Sequence, residues 1–154
     1  MTYECYFDGA CGPMNPYGDM GIGAIIYLNG KALDTHNGFY RRSCLSSNNV
    51  AEYKALVWVL DRLSQENISH VDEVCIYGDS KLVVNQLNRK WNITKGLYVK
   101  DALEGKEKFS LLKKKSNNVS ITWIPRELNE EADELSSIPL RNVGAEFKSR
   151  KNLS

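Results

Sequence analysis

Long apolar runs are missing from this chain of 154 residues. No stretch approaches the ~20 residues that a membrane-spanning helix needs, so no membrane partner is expected. The N-terminus, Met1-Thr2-Tyr3-Glu4-Cys5, lacks a basic segment followed by an apolar one, and no signal peptide is expected. Cysteine is scarce as well. Cys5, Cys11, Cys44 and Cys75 show neither Cys-x-x-Cys spacing nor the density of a secreted disulfide scaffold. The expectation is a cytoplasmic protein with reduced thiols, in which sequon matches such as Asn67-Ile68-Ser69 arise by chance. Neither sign of charge is in excess: 20 basic and 19 acidic side chains leave a formal charge of +1. A strongly basic chain would have announced a nucleic-acid binder. Near-neutrality leaves that class open, because bound cations offset negative charge at an acidic site. What remains, 42% hydrophobic and 25% charged residues, is the composition of one globular domain with a substantial core.

Periodicity supplies the elements. Tyr3 to Asp8 alternates and is rich in aromatics, so it reads as a strand, and the proline- and glycine-containing stretch from Gly9 to Asp19 reads as a loop. Gly21 to Leu28 is apolar and β-branched; after Asn29-Gly30 a third strand is expected from Lys31 to Tyr40, closing an antiparallel meander. Ser46-Ser47-Asn48 offers helix caps for a segment ending near Ser64, with Ala55, Leu56, Val59, Leu60 and Leu63 as its apolar stripe. A strand from Glu73 to Tyr77, a helix capped by Asp79 or Ser80, a helix from Tyr98 to Lys114, a strand from Val119 to Ile124 and a helix from Glu127 to Ser136 complete the order. Strands followed by helical crossovers imply an α/β mixed sheet with helices on both faces. Residues 1–136 form the expected domain. Residues 137–154 are a polar, basic extension, of which Ile138, Leu140, Val143 and Phe147 could dock a part.

Four acidic residues stand in settings that favour chemistry over solubility: Asp8, Glu52, Asp79 and Asp133. Glu52 shares a helix face with Leu56, Val59 and Leu63, and a carboxylate on an inward stripe carries a large desolvation cost unless it is paired. Asp8 and Asp79 each follow an apolar strand, the place where open α/β sheets bind ligands. Asp133 lies beside the apolar stripe of the last helix. Each alone has an ordinary explanation: a rim glutamate, a turn, an N-cap, a surface residue. The set does not. Carboxylates that converge without a cation resist ionisation, and the usual remedy is a hard divalent ion held by oxygens, magnesium or manganese.

These segments resemble the type 1 ribonuclease H family of the retroviral-integrase-like superfamily. The resemblance runs from Tyr3 to Ser136 and is carried by Phe7-Asp8-Gly9, Asn48-Asn49 before Glu52, Gly78-Asp79-Ser80 and Asn129-Glu130-Glu131-Ala132-Asp133. It implies a ribonuclease H-like mixed five-stranded sheet, with three antiparallel strands followed by two parallel ones. It also implies an endonuclease that cuts the RNA strand of an RNA/DNA hybrid with two Mg2+ ions (Mn2+ substituting), leaving 3′-hydroxyl and 5′-phosphate ends. In that scheme Asp8 bridges both ions, Glu52 and Asp79 complete the site holding the leaving oxygen, and Asp133 helps hold the ion that delivers water. Among substrate contacts, Asn48 and Asn49 would meet sugar, phosphate or base edges at a helix N-terminus. Cys11 and Asn15 would touch the backbone in the minor groove, Ser47 and Asn129 would hold a DNA phosphate, and Lys81 would add charge.

The chain also departs from the family pattern. Many members carry a histidine in the loop before the last helix. Here that loop is Trp123-Ile124-Pro125-Arg126-Glu127-Leu128, and the two histidines, His36 and His70, lie elsewhere and are expected at the surface. Arg126 or Glu127 is left to stand in. The basic protrusion is reduced to Arg89 to Lys95, so grip on the hybrid is expected from Lys81, Lys90, Lys95, the Lys113-Lys114-Lys115 run or the basic tail. Three other readings fit the same residues: a nuclease of this superfamily acting on DNA, a hybrid-binding module without catalysis, and a domain of a reverse transcriptase. The initiating methionine and the complete set of fold elements lead to the expectation of a stand-alone protein, with a monomer as the default.

Overall fold

The computed structural model describes residues 1–153, with side chains described through Val143. Five strands form one sheet: β1 (Thr2–Gly12), β2 (Asp19–Leu28), β3 (Lys31–Tyr40), β4 (Glu73–Gly78) and β5 (Asn118–Trp123), in the order β3-β2-β1-β4-β5. β1–β2 and β2–β3 are antiparallel, whereas β1–β4 and β4–β5 are parallel. The helices are α1 (Asn48–Leu63), α2 (Lys81–Leu87), α3 (Val99–Lys115) and α4 (Glu130–Leu153), with a short 3-10 turn at Arg126–Leu128. No helix among the described residues is long and apolar enough to cross a membrane.

Alternation along β1 divides the molecule into layers. Tyr3, Cys5 and Phe7 point to one face and pair in register with Leu28, Ile26 and Ala24 of β2. There they meet the buried stripe of α1, which contains all five positions expected from the periodicity. Burying one such side chain is worth roughly 1.5–3 kcal/mol, so this stripe fixes α1 on the sheet. α3 packs outside α1, where Gly105 lies against Tyr53 and Leu56. The opposite face of β1 and β2, carrying Glu4, Tyr6, Asp8, Gly23 and Tyr27, is crossed by α4.

The loop expected from Gly9 to Asp19 is shorter in the structure. β1 continues to Gly12 because Gly9 to Gly12 pair with Ile22 to Asp19 of β2, leaving residues 13–18 as the turn. The last helix is longer than expected. It begins at Glu130, after the 3-10 turn has taken up the first residues assigned to it, and its backbone runs past Ser136 through Pro139 to Leu153. The expected boundary after Ser136 therefore falls within α4. Ile138, Leu140 and Val143 are half-buried, and Leu140 lies over Gly21. Phe147, Lys148, Arg150 and Lys151 lie outside the residues whose side chains are described. His36 is also less exposed than expected, stacked on Trp58 with ring centroids 4.7 Å apart.

Candidate active site

Two close approaches of backbone to backbone bring the carboxylates together. At Gly9 a β-carbon would lie 2.3 Å from the Ala51 carbonyl carbon and 2.4 Å from the Glu52 nitrogen, so only glycine lets the first turns of α1 press onto the end of β1. On the other face, a β-carbon at Gly23 would lie 2.3 Å from the Ala132 carbonyl oxygen, so the first turns of α4 sit directly on β2. Asp8 thus projects from β1 between a helix on each side. Asp79 joins from the end of β4, which is locked beside β1 by parallel pairing of Phe7 with Gly78. Ser80 caps α2 by accepting from the Val83 N–H, so Asp79 is not needed for capping.

Oxygens of Asp8, Glu52 and Asp79 all lie within 4.8 Å of one another. Asp133, in the first turn of α4, completes the lining of a groove of about 520 Å³ that also holds Gly9, Ala10, Asn48, Asn49, Trp123 and Arg126. Asp8 is 5% exposed and Glu52 8% exposed, which rules out the rim position that the sequence left open for Glu52. Burial and the neighbouring charges of Asp79 and Asp133 push the Asp8 carboxyl up to about 7, against a smaller downward effect of a hydrogen bond with Glu52. Burial, then the charge of Asp8, holds Glu52 well above the ordinary carboxylate range. Asp79 is raised in the same direction, by burial and Asp133, with Arg126 opposing. The cluster therefore resists ionisation when no cation is bound.

One Glu52 oxygen, Oε2, is buried and has no hydrogen-bond partner. A buried acceptor left unpaired costs about 1–3 kcal/mol, and a hard divalent cation would satisfy it. The donor set is entirely oxygen, the chemistry that magnesium and manganese prefer. Asp8, Glu52 and Asp79 therefore fit a metal ion, with Asp133 beside them. Arg126 lies 3.4 Å from both carboxylate oxygens of Asp133. Glu127, the other residue considered for the missing histidine, faces a separate cavity with Glu4, Tyr6 and Tyr27.

The expected substrate contacts separate into groups. Asn49 is exposed in the groove. Asn48 is exposed too, but its Oδ1 accepts from the Cys11 N–H at 2.7 Å, while Asn15 Oδ1 accepts from the Asn48 N–H at 2.9 Å. The tip of β1, the following turn and the start of α1 are thus tied together. The Cys11 thiol is half-buried and donates to the Met14 carbonyl. Ser47 caps α1, its Oγ accepting from the Val50 N–H. Lys81 holds its ammonium 4.9 Å from the centre of the Trp123 ring. Asn129 is 1% exposed and donates to the Phe7 carbonyl at 2.9 Å, fastening the start of α4 behind Asp8.

Two residues of the site escaped the sequence reading. Trp123 walls the groove and donates from Nε1 to the Asp79 carbonyl at 3.1 Å. Its signal was its place at the end of a strand parallel to β4, where it pairs with Gly78. Ser136, fully buried, donates to Asp8 Oδ2 at 3.1 Å. Its signal was the three-residue step from Asp133 along one helix face.

Comparison with known proteins places this geometry. A family described as reverse transcriptase-like matches residues 6–138. The bifunctional protein Rv2228c of Mycobacterium tuberculosis is 30% identical over 92 residues, 60% of this chain; that match spans 23% of the relative's length. Among solved structures, RNase H1 from the halophilic archaeon Halobacterium salinarum superposes with a TM-score of 0.76 at 28% identity, covering 92% of this chain and 99% of that one. The N-terminal RNase H domain of Rv2228c gives 0.75 at 27% identity over 89% and 97% of the two chains. LC11-RNase H1, solved in complex with an RNA/DNA hybrid, gives 0.71 at 31% identity over 88% and 94%. With the matched segment spanning all four carboxylates, the chain belongs to the reverse transcriptase-like family and, within it, to the type 1 ribonuclease H enzymes.

Proposed function

We propose that this protein hydrolyses the RNA strand of RNA/DNA hybrids, using divalent ions, Mg2+ by preference, held by Asp8, Glu52, Asp79 and Asp133. The observation that carries this reading is the meeting of three carboxylates within 4.8 Å, one with a buried, unpartnered oxygen, in an open groove of about 520 Å³. When bound, such ions supply a water ionisable near neutral pH and neutralise charge at the scissile phosphate, leaving 3′-hydroxyl and 5′-phosphate ends. The hybrid-bound structure of LC11-RNase H1 supports the substrate class.

The chain's own residues do the rest. Asn48 and Asn49 present amides at the N-terminus of α1, where polar groups meet phosphate, sugar and base edges. Recognition of 2′-hydroxyls there would mark the RNA strand. Asn15 and Cys11 hold this corner to the tip of β1. Lys81, steadied over Trp123, and Arg126 supply positive charge on the side away from α1. Arg126, beside Asp133, is the residue placed to act where many relatives use a loop histidine. Ser47 and Asn129 serve first as a helix cap and as an inward brace.

The test is cleavage of a labelled RNA/DNA hybrid in Mg2+, comparing the native protein with Asp79→Asn, with EDTA and all-DNA duplex controls. Cuts confined to the RNA strand, ending in 3′-hydroxyls and lost in the variant and in EDTA, are expected. Binding without cleavage would replace this reading with the binding module, and cleavage of the all-DNA duplex with a DNA nuclease.

A further inference from the structure

We propose that Ser136 is a positioning residue for Asp8: its buried hydroxyl holds the carboxylate in the orientation that faces Glu52 and Asp79. The proposal rests on the metal-dependent reading above.

The terminal torsion of an aspartate is broad, so packing alone does not set the plane of its carboxylate. Asp8 is 5% exposed, and its acidic neighbours can share a proton with it only while the cluster is not fully ionised. Once ionised, as a bound cation requires, they only accept hydrogen bonds and cannot orient it. Among the described residues, Ser136 is the hydroxyl donor that reaches it, at 3.1 Å from Oδ2. Ser136 has no exposed surface, so no bulk water competes for this bond. The same hydroxyl also donates to the Asp133 carbonyl, at 2.8 Å one turn back along α4, so its single proton is shared between the two acceptors. One hydroxyl therefore ties the carboxylate of β1 to the helical turn that carries Asp133. Gly23, by admitting α4 so close to β2, makes the reach possible. Ser137 supplies an internal control. Its hydroxyl also donates to the Asp133 carbonyl, at 2.8 Å, and among the described residues it makes no hydrogen bond to Asp8.

Groups that orient metal ligands from behind typically change metal affinity 10- to 100-fold when removed. The experiment is calorimetric titration of the full chain with Mn2+, for the native protein, Ser136→Ala and Ser137→Ala, with the Mg2+ dependence of hybrid cleavage measured in parallel. Alanine is the best helix former, so both variants keep α4. Ser136→Ala is expected to bind Mn2+ roughly tenfold more weakly. Its half-maximal Mg2+ concentration should rise by a similar factor, while kcat at saturating metal stays within about twofold of native. Ser137→Ala is expected to match the native protein. Native affinity in Ser136→Ala overturns the proposal, as does an equal loss in both variants, which would assign the effect to the helical turn. If the native protein takes up no Mn2+, the metal-dependent reading falls and this proposal with it.

Discussion

Replacing Asp8 by asparagine should stabilise the metal-free protein while abolishing its response to Mg2+. Asp8 ionises at about 7 in the folded chain against an ordinary value of 3.8. A carboxyl raised on folding binds its proton more tightly in the native state, so its contribution is fully present below pH 3.8 and is lost as pH rises toward 7. The size of that shift corresponds to an upper limit of about 4 kcal/mol, and solvent entering the open groove reduces it to about 2–4. Asparagine carries no charge, has nearly the same shape and still accepts from Ser136. In EDTA at pH 8, Asp8→Asn should therefore melt about 5–15 °C above the native protein, since each kcal/mol moves a domain of this size by about 2–4 °C. At pH 4 the two should melt within about 2 °C of each other. Mg2+ at one thousand times its dissociation constant reverses the order, because it stabilises the native state by about 4.1 kcal/mol, which offsets the difference of about 2–4 kcal/mol, and the variant has lost a central ligand. Thermal unfolding followed by circular dichroism across this pH range, with and without Mg2+, decides it. A variant less stable than native at pH 8 in EDTA, or a difference indifferent to pH, would refute the electrostatic account of the site.

Gly9→Ala should lower stability by roughly 2–3 kcal/mol, read as a shift in urea midpoint, and reduce cleavage more than tenfold, because the new methyl meets backbone of α1 at 2.3 Å. Tyr53→Phe should cost about 1–2 kcal/mol in the same assay with little effect on cleavage. Tyr53 donates to Oε1 of Gln86, a 2% exposed residue that also bonds to the Asn92 carbonyl and the Tyr98 hydroxyl. Arg126→Ala should leave the melting temperature within about 4 °C, as suits an exposed ion pair. Its KM for hybrid should rise several-fold, and the rise should shrink at high salt.

Much of the fold was legible because its helices and strands carry their own periods. The α1 stripe and the strands of the meander were placed to within a few residues on that basis. Misplaced boundaries share a cause, a partner distant in sequence overriding the local signal. Gly9 to Gly12 look like a turn, yet pairing with β2 makes them strand. Residues after Ser136 look like an extension, yet they continue α4 across β2 and past Pro139. At the site, the four carboxylates could be named together because the set, in its order and spacing, resembles the ribonuclease H pattern, although each alone had an ordinary explanation. What holds them in place could not. The Ser136–Asp8 bond spans 128 residues and the Asn129–Phe7 bond 122, and neither residue type announces such a contact. Asn129 in particular carries the chemistry of a phosphate ligand and the burial of a core residue.

The carboxylates come from opposite layers and in strict chain order, at positions 8, 52, 79 and 133. A ribosome making this protein therefore delivers the last of them only after every strand of the sheet has been synthesised. Until α4 has emerged and settled onto β2, the nascent chain holds three acidic groups and no finished site. On the proposed function, such a chain lacks one of the four residues that would hold the ions. The order of the elements makes completion of the four-carboxylate cluster wait for the last helix.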